Sequence, residues 1–385
     1  MRIGIDARLL THPQPGGFKT YTENLVAGLA AVAGDNEYVL YVDRPTDVRA
    51  EVSDRRSFTI RVLPATVPNL GMPWREQILL PLRAVRDRID LLHSPTLTAP
   101  LSLRRPSVVT VHDMYWRSPR RSPAGSGRRA LIDSYNRFVP PRAIRRAAAI
   151  ITVSHSAKAS IIEELGVCAE RVFVTYEAPP PIYVPVTDPP RLESIRRKYG
   201  LGSCFILGIG SADPRKNVGA LLRAYAALPL SVRERHELVV VWAHPALMGE
   251  LAAQVPGLGL GDRVRFLNAV PSEDLVMLYN AAGVFVFPSF GEGFGLPPLE
   301  AMACGIPVIA ANNSAMPEIL DGAGLLVDPH DVSAMAAAVE RVLRDDGVRA
   351  SLIDAGRKRA AAFSWRRCAE ETLQVYRNVL QATAG

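Results

Sequence analysis

Short runs of β-branched and large apolar residues recur along the chain, separated by stretches where apolar positions return every three or four residues. The first pattern marks buried strands and the second amphipathic helices. Strands are predicted at residues 2–6, 38–42, 58–63, 89–93, 107–113, 148–154 and 171–176. A second series falls at 205–210, 237–242, 264–267, 283–288, 305–310 and 324–327. Helices are predicted between them, among others at about 20–33, 73–85, 156–165, 218–228, 333–343 and 365–380, with Ser272 and Ser333 as N-caps. Strands alternating with helices throughout belong in parallel sheets with both faces covered. The alternation pauses once, where Pro179–Pro181 and Pro189-Pro190 predict an extended, stiff linker. The expected plan is therefore α/β, with two Rossmann-like domains at residues 1–178 and 201–362, a linker at 179–200, and a terminal helix within 363–385.

Length agrees with this division, because 385 residues exceed what one core usually serves. The apolar runs, such as residues 147–153, are too short to span a bilayer, and residues 1–6 read as a strand rather than a signal peptide. Cys168, Cys204, Cys304 and Cys368 form no C-x-x-C pair, which predicts reduced thiols and a cytoplasmic protein. The net charge of +7 is unevenly placed: residues 101–150 hold eleven arginines against Asp113 and Asp133. These arginines include Arg117, Arg120, Arg121, Arg128 and Arg129. A face of this kind attracts anionic lipid at roughly 1 kcal/mol per residue. That makes peripheral attachment to the inner face of the plasma membrane one expectation, a basic site for a lipid-diphosphate acceptor a second, and a merely solvated surface a third. Nucleic acid is not expected, since no aromatic interleaving accompanies the charge.

The chemistry concentrates at residues 288–307. A buried strand breaks into a loop with Gly291, Gly293 and Gly295, and a helix starts at Pro297-Pro298, where a missing N–H is harmless. The amides of Phe294, Gly295 and Leu296 then point off a positive helix end, which suits phosphate or an oxygen-rich ligand. Glu292 and Glu300 flank that end with seven residues between them. Arg215 and Lys216 follow another strand and precede another helix, as cations for a diphosphate. His112 lies at a strand's C-terminal edge, where open α/β sheets bind ligands. Gly16 and Gly17 precede the first helix and allow close backbone approach to a phosphate. A dehydrogenase reading fails because the third glycine after Gly208 and Gly210 is replaced by Asp213.

The Glu292–Glu300 spacing and the run Glu-Ala-Met-Ala-Cys-Gly-Ile-Pro-Val-Ile309 resemble the signature of retaining glycosyltransferases of the GT-B fold, family 4. Ile5-Asp6-Ala7-Arg8, Tyr21-Thr22-Glu23-Asn24, Val111-His112-Asp113, Pro214-Arg215-Lys216-Asn217 and Phe363-Ser364-Trp365 extend the resemblance over nearly the whole chain, in particular to members that add mannose to bacterial surface polysaccharide. It implies two domains facing a central cleft, with the terminal helix crossing back to the first. It implies catalytic roles for His112, Glu292, Arg215 and Lys216. His112 serves the reacting carbon, Glu292 the sugar hydroxyls, and Arg215 and Lys216 the diphosphate. Donor binding is implied for Gly16, Gly17, Ser211, Gly293, Phe294, Gly295, Leu296 and Glu300, the last accepting from the ribose hydroxyls. Ser211 stands near where many relatives carry an arginine, and Glu177-Ala178-Pro179 where they often carry Asn-Gly-Val. The turn at 263–270 lies where relatives read the base through backbone groups, so the base leaves no side-chain code.

No side chain is plainly placed as a covalent nucleophile, and the family's reaction is usually explained by front-face attack. No Asp-x-Asp pair exists in the sequence, so no cofactor or metal is expected. The expected reaction moves a hexose, first of all mannose from GDP-mannose, to a lipid-linked or polysaccharide hydroxyl. A UDP-sugar-dependent glucosyl or N-acetylglucosaminyl transferase is the alternative, and a non-catalytic nucleotide-sugar-binding module the remote one.

Overall fold

The computed structural model describes residues 1–13, 16–45, 57–65, 71–114, 127–211, 213–242 and 248–384. Tyr115, Trp116, Arg117, Arg120 and Arg121 lie outside them, as do the side chains of Arg128 and Arg129. The chain divides into two units, one of residues 1–177 with 364–385, the other of residues 178–363.

The first unit holds seven parallel strands: β1 (Arg2–Ile5), β2 (Glu37–Val42), β3 (Phe58–Val62), β4 (Leu91–Ser94), β5 (Ser107–Val111), β6 (Ala149–Thr152) and β7 (Val172–Val174). Their order is β3-β2-β1-β4-β5-β6-β7, with Ile3 opposite both Tyr38 and Leu91. Ile3, Val39, Leu92, Val109 and Ile150 are buried, as expected of a parallel sheet covered on both faces. The helices include α1 (Gly17–Ala31), α2 (Leu80–Arg86), α3 (Gly127–Arg146) and α4 (His155–Leu165). Ser154 caps α4 by accepting from the amide of Ala157 at 3.0 Å. Immediately before α2, residues Arg75–Leu79 form a π-helical turn. Consecutive Arg75 and Glu76 are both buried there. The Arg75 guanidinium meets Asp6 at 2.8 Å and the carbonyls of Tyr41 at 2.8 Å and Leu63 at 3.0 Å. Arg8 meets Glu76 and Thr98. This network fastens four strand ends with paired charges, which is how a buried guanidinium is tolerated.

The second unit opens on a helix, α5 (Pro189–Tyr199), where the sequence predicts linker through residue 200. Asp188 accepts from the amide of Arg191, Pro189 and Pro190 occupy the first turn, and Ile195 is buried. Proline is favourable in that turn, so the prolines that look like a linker begin a helix. Six parallel strands follow: β8 (Phe205–Gly210), β9 (Glu237–Trp242), β10 (Val264–Asn268), β11 (Val284–Phe287), β12 (Val308–Ala311) and β13 (Leu325–Val327). Their order is β10-β9-β8-β11-β12-β13. The longer helices are α6 (Val218–Ala227), α7 (Ser272–Ala281), α8 (Leu296–Cys304), α9 (Val332–Arg344) and α10 (Asp346–Ala361), the last not predicted from sequence. Pro271 precedes α7 without a side-chain cap, so Ser272 is not one. Asp331, not Ser333, caps α9 by accepting from Ala334 at 2.8 Å.

The final helix, α11 (Trp365–Ala384), belongs to the first unit and packs on α1. A Cβ at Gly28 would come within 2.7 Å of the Trp365 carbonyl, so only glycine permits that approach. Its Tyr376 hydroxyl lies 2.6 Å from His93 Nδ1.

Candidate functional site

Each sheet reverses its winding once, between β1 and β4 in the first and between β8 and β11 in the second. Connections leave such a pair in opposite directions, opening a crevice at the C-terminal strand ends. The sequence-predicted residues of each unit fall on the loops and helix starts at that edge, with Glu300 one turn inside its helix.

In the second unit the loops after β8 and β11 interlock. Asp213 starts a short 3-10 turn and accepts from Arg215, at 3.0 Å from the amide and 2.8 Å from Nε. Burial alone would raise the Asp213 carboxyl, but the Arg215 hydrogen bonds and charge outweigh it and hold it below its usual value. Ser211 accepts from the Asp213 amide at 3.1 Å, so its hydroxyl supports the loop. Lys216 Nζ lies 2.7 Å from Glu292 Oε1 and 4.9 Å from the centre of the Phe287 ring. Glu292 Oε1 is also 2.5 Å from the Ser289 hydroxyl, and its amide donates to Ser314 Oγ at 2.9 Å. The two cations expected for a diphosphate thus each rest on a carboxylate, and one of those carboxylates is the residue expected to hold sugar. Asn217 joins the loops by donating to the carbonyls of Pro288 and Pro329.

Helix α8 begins at this edge. Gly295 precedes it at φ 110°, and an added Cβ would sit 2.2 Å from Met316 Cε. Only glycine fits both the dihedral and the space. Gly293, Phe294 and Leu296 complete the turn, with Phe294 packed edge-on against Phe363. Glu300 lies inside the helix, buried, and accepts from the Tyr279 hydroxyl at 3.2 Å. Burial first and then Glu300 push the Tyr279 phenol well above its usual value and the Cys304 thiol up to about 12.

In the first unit His112 follows β5, and its ring sits edge-on between Phe18 and Tyr21 of α1, at 4.8 and 4.6 Å. His112 Nδ1 lies 2.9 Å from Glu177 Oε1. Both residues are buried, His112 at 8% and Glu177 at 3% exposure. The carboxylate fixes the tautomer with the proton on Nδ1. Nε2 is buried and has no hydrogen-bond partner among the described residues. A second histidine, His93, contacts Tyr376 and Thr110 through its two nitrogens and is held neutral, at about 3, by burial and then by the neighbouring His112. Gly16 precedes α1 and Gly17 is its first residue, and a Cβ on either would meet no atom of the described residues within 4 Å.

Sequence reasoning missed Glu177, Asp213, Ser289 and Tyr279 as partners. Glu177 differs from the residue common in relatives, which was the available signal; the others carry none.

Two parallel-sheet nucleotide-fold units with their polar loops at the winding reversals define the GT-B architecture. Solved structures agree: sucrose-phosphate synthase from Thermosynechococcus elongatus superposes with TM-score 0.75 at 23% identity, covering 99% of this chain and 100% of its own. Anabaena Alr3699/HepE, solved with UDP and glucose, gives 0.73 at 21% identity, covering 98% and 99%. Residues 15–178 match the family model described as Glycosyltransferase Family 4, and residues 193–359 match Glycosyl transferases group 1. The O-antigen chain mannosyltransferase B of Escherichia coli is 36% identical over 298 residues, 76% of either chain. This chain belongs to glycosyltransferase family 4. Among the described residues, no helix is long and apolar enough to cross a membrane.

Proposed function

We propose that this glycosyltransferase moves mannose from GDP-mannose to a hydroxyl of a lipid-linked or polysaccharide acceptor, retaining the anomeric configuration and using no metal ion. The observation that carries the reading is the Lys216–Glu292 pair beside Arg215 at the start of α8. A diphosphate is a stronger partner for Lys216 than one carboxylate oxygen. Its arrival draws Lys216 away from Glu292 and leaves that carboxylate to accept from the sugar hydroxyls. Charge enters the site and charge is exchanged, so no bare ion is left behind. Arg215 and the amides before α8 hold the negative charge that grows on the leaving phosphate. Buried Glu300 accepts from the ribose. The 36% identity to a mannosyltransferase supports mannose as the sugar.

In the reaction the anomeric C–O bond to phosphate breaks while the acceptor oxygen bonds to the same carbon from the same face. The acceptor's proton passes to the departing phosphate oxygen. His112, held by Glu177, offers Nε2 to the sugar side of this step and stabilises positive character at the carbon.

Incubation with a panel of nucleotide sugars, read by mass spectrometry, tests the donor. GDP-mannose is expected to be consumed, with the anomeric configuration of the product read by NMR, and chelator is expected to leave the rate unchanged. Turnover of UDP-sugars alone would assign the base differently. An inverted product, or complete loss of activity in chelator, would remove the corresponding part of the mechanism.

A further inference from the structure

From Gly71 to Arg86 the chain buries Leu80, Pro81 and Ala84 but also departs from the usual polarity of a helical segment. Charged Arg75 and Glu76 are buried, whereas Met72, Trp74, Ile78, Leu82 and Val85 are exposed, Leu82 at 57% and Val85 at 63%. Ile78, Leu82 and Val85 stand at i, i+4 and i+7, so they share one face. An outward row of this size is informative in a way that a single exposed leucine is not.

The row lines a groove with Leu103 whose other wall carries Arg104 and Arg105. The same two arginines line an adjoining polar depression with Arg146. No carboxylate lines either depression among the described residues. Arg104, Arg105 and Arg146 are exposed. Phe138 is exposed at 54%, one turn along α3 from Tyr135, whose hydroxyl lies 3.0 Å from Gln77 Nε2. Arg104 and Arg105 precede β5, whereas His112 follows it, so this face is at the sheet edge opposite the catalytic one.

We infer that this face seats the protein on an anionic phospholipid surface. Ile78, Leu82 and Val85 enter the boundary between headgroups and acyl chains, while Arg104, Arg105 and Arg146 pair with lipid phosphates. An apolar row beside arginines without facing carboxylates complements lipid phosphate and not a protein surface of mixed charge. Of the described arginines in segment 101–150, Arg104 and Arg105 border the groove and Arg146 the depression beside it. The surface is separate from the sugar-transfer site, so either can fail while the other stands.

Co-sedimentation of the full chain with phosphatidylcholine vesicles, with and without phosphatidylglycerol, provides the test. Retention is expected on phosphatidylglycerol vesicles and is expected to weaken as salt rises. Arg104→Glu with Arg105→Glu should lower the apparent affinity at least 25-fold, from about fivefold per arginine near a charged surface. Leu82→Ser with Val85→Ser should also lower it, while leaving the salt dependence in place. Both pairs should keep nucleotide-sugar turnover and melting temperature. Failure of the wild type to sediment with phosphatidylglycerol vesicles overturns the inference. So does equal retention of both double variants. A concentration-dependent dimer that Leu82→Ser with Val85→Ser dissolves would assign the face to a second copy instead.

Discussion

Glutamine at position 177 would remove one charge from behind His112 and change little else. Glu177 is almost fully buried and 2.9 Å from His112 Nδ1. A glutamine oxygen can accept the same proton, so ring orientation and tautomer survive. A hydrogen bond to a charged group is worth roughly 1.5–3 kcal/mol and a neutral one about 1. The difference of about 0.5–2 kcal/mol, if felt only where positive charge develops, lowers kcat roughly 2- to 30-fold and leaves the donor KM nearly unchanged. Initial rates of nucleotide release, measured with saturating acceptor and varied donor, read both constants. His112→Ala, Glu177→Gln and the double variant then close a cycle. If Glu177 acts through the imidazole, the double variant costs no more than His112→Ala alone. Fully additive losses, or an unchanged kcat in Glu177→Gln with a native melting temperature, would refute the assignment.

Other consequences are equally open to measurement. Lys216→Ala should weaken GDP binding about 10- to 100-fold by calorimetric titration, since one charge-assisted contact to diphosphate is lost; an unchanged Kd would place the diphosphate elsewhere. Gly295→Ala should lower the melting temperature, from about 1–2 kcal/mol of left-handed strain plus the contact with Met316, and the same substitution made in a Met316→Ala background should cost only the strain. His93 binds no proton in the folded protein until about 3, whereas the unfolded chain binds one below about 6.5, so stability is full above that pH and falls on acidification. Urea melts should show a loss of about 1.4 kcal/mol per pH unit below about 6.5, and His93→Gln should flatten that slope. Removing residues 364–385 should unfold the first unit, read as loss of cooperative melting, because α1 and His93 lose α11.

The strands were legible because β-branched runs such as Val108–Val111 and Val284–Phe287 are short, apolar and bounded by breakers. Arg215, Lys216, Glu292 and Glu300 were legible because their chemistry depends on local spacing beside a strand end. Pairings were not: Glu177 meets His112 across 65 positions, and only the packed sheet brings them together. The same limit hid Lys216 behind Glu292, which lies 76 residues away. Pro189-Pro190 misled because two prolines suit a helix start as well as a linker, and Asp188 decides between them. At α9 two capping residues stood two positions apart, and the helix begins at the earlier. The alanine- and arginine-rich run 346–361 has too weak an apolar stripe to announce α10.

The return of residues 364–385 to the first unit makes that unit discontinuous in sequence. A ribosome delivers its seven strands early, yet α1 lacks its neighbour and the His93 nitrogen its tyrosine until all of residues 178–363 have been made. The intervening unit is continuous and can mature first. Nascent chains therefore carry a long-lived, unfinished amino-terminal half, and that half is where early termination or a slow codon near position 364 would do the most harm.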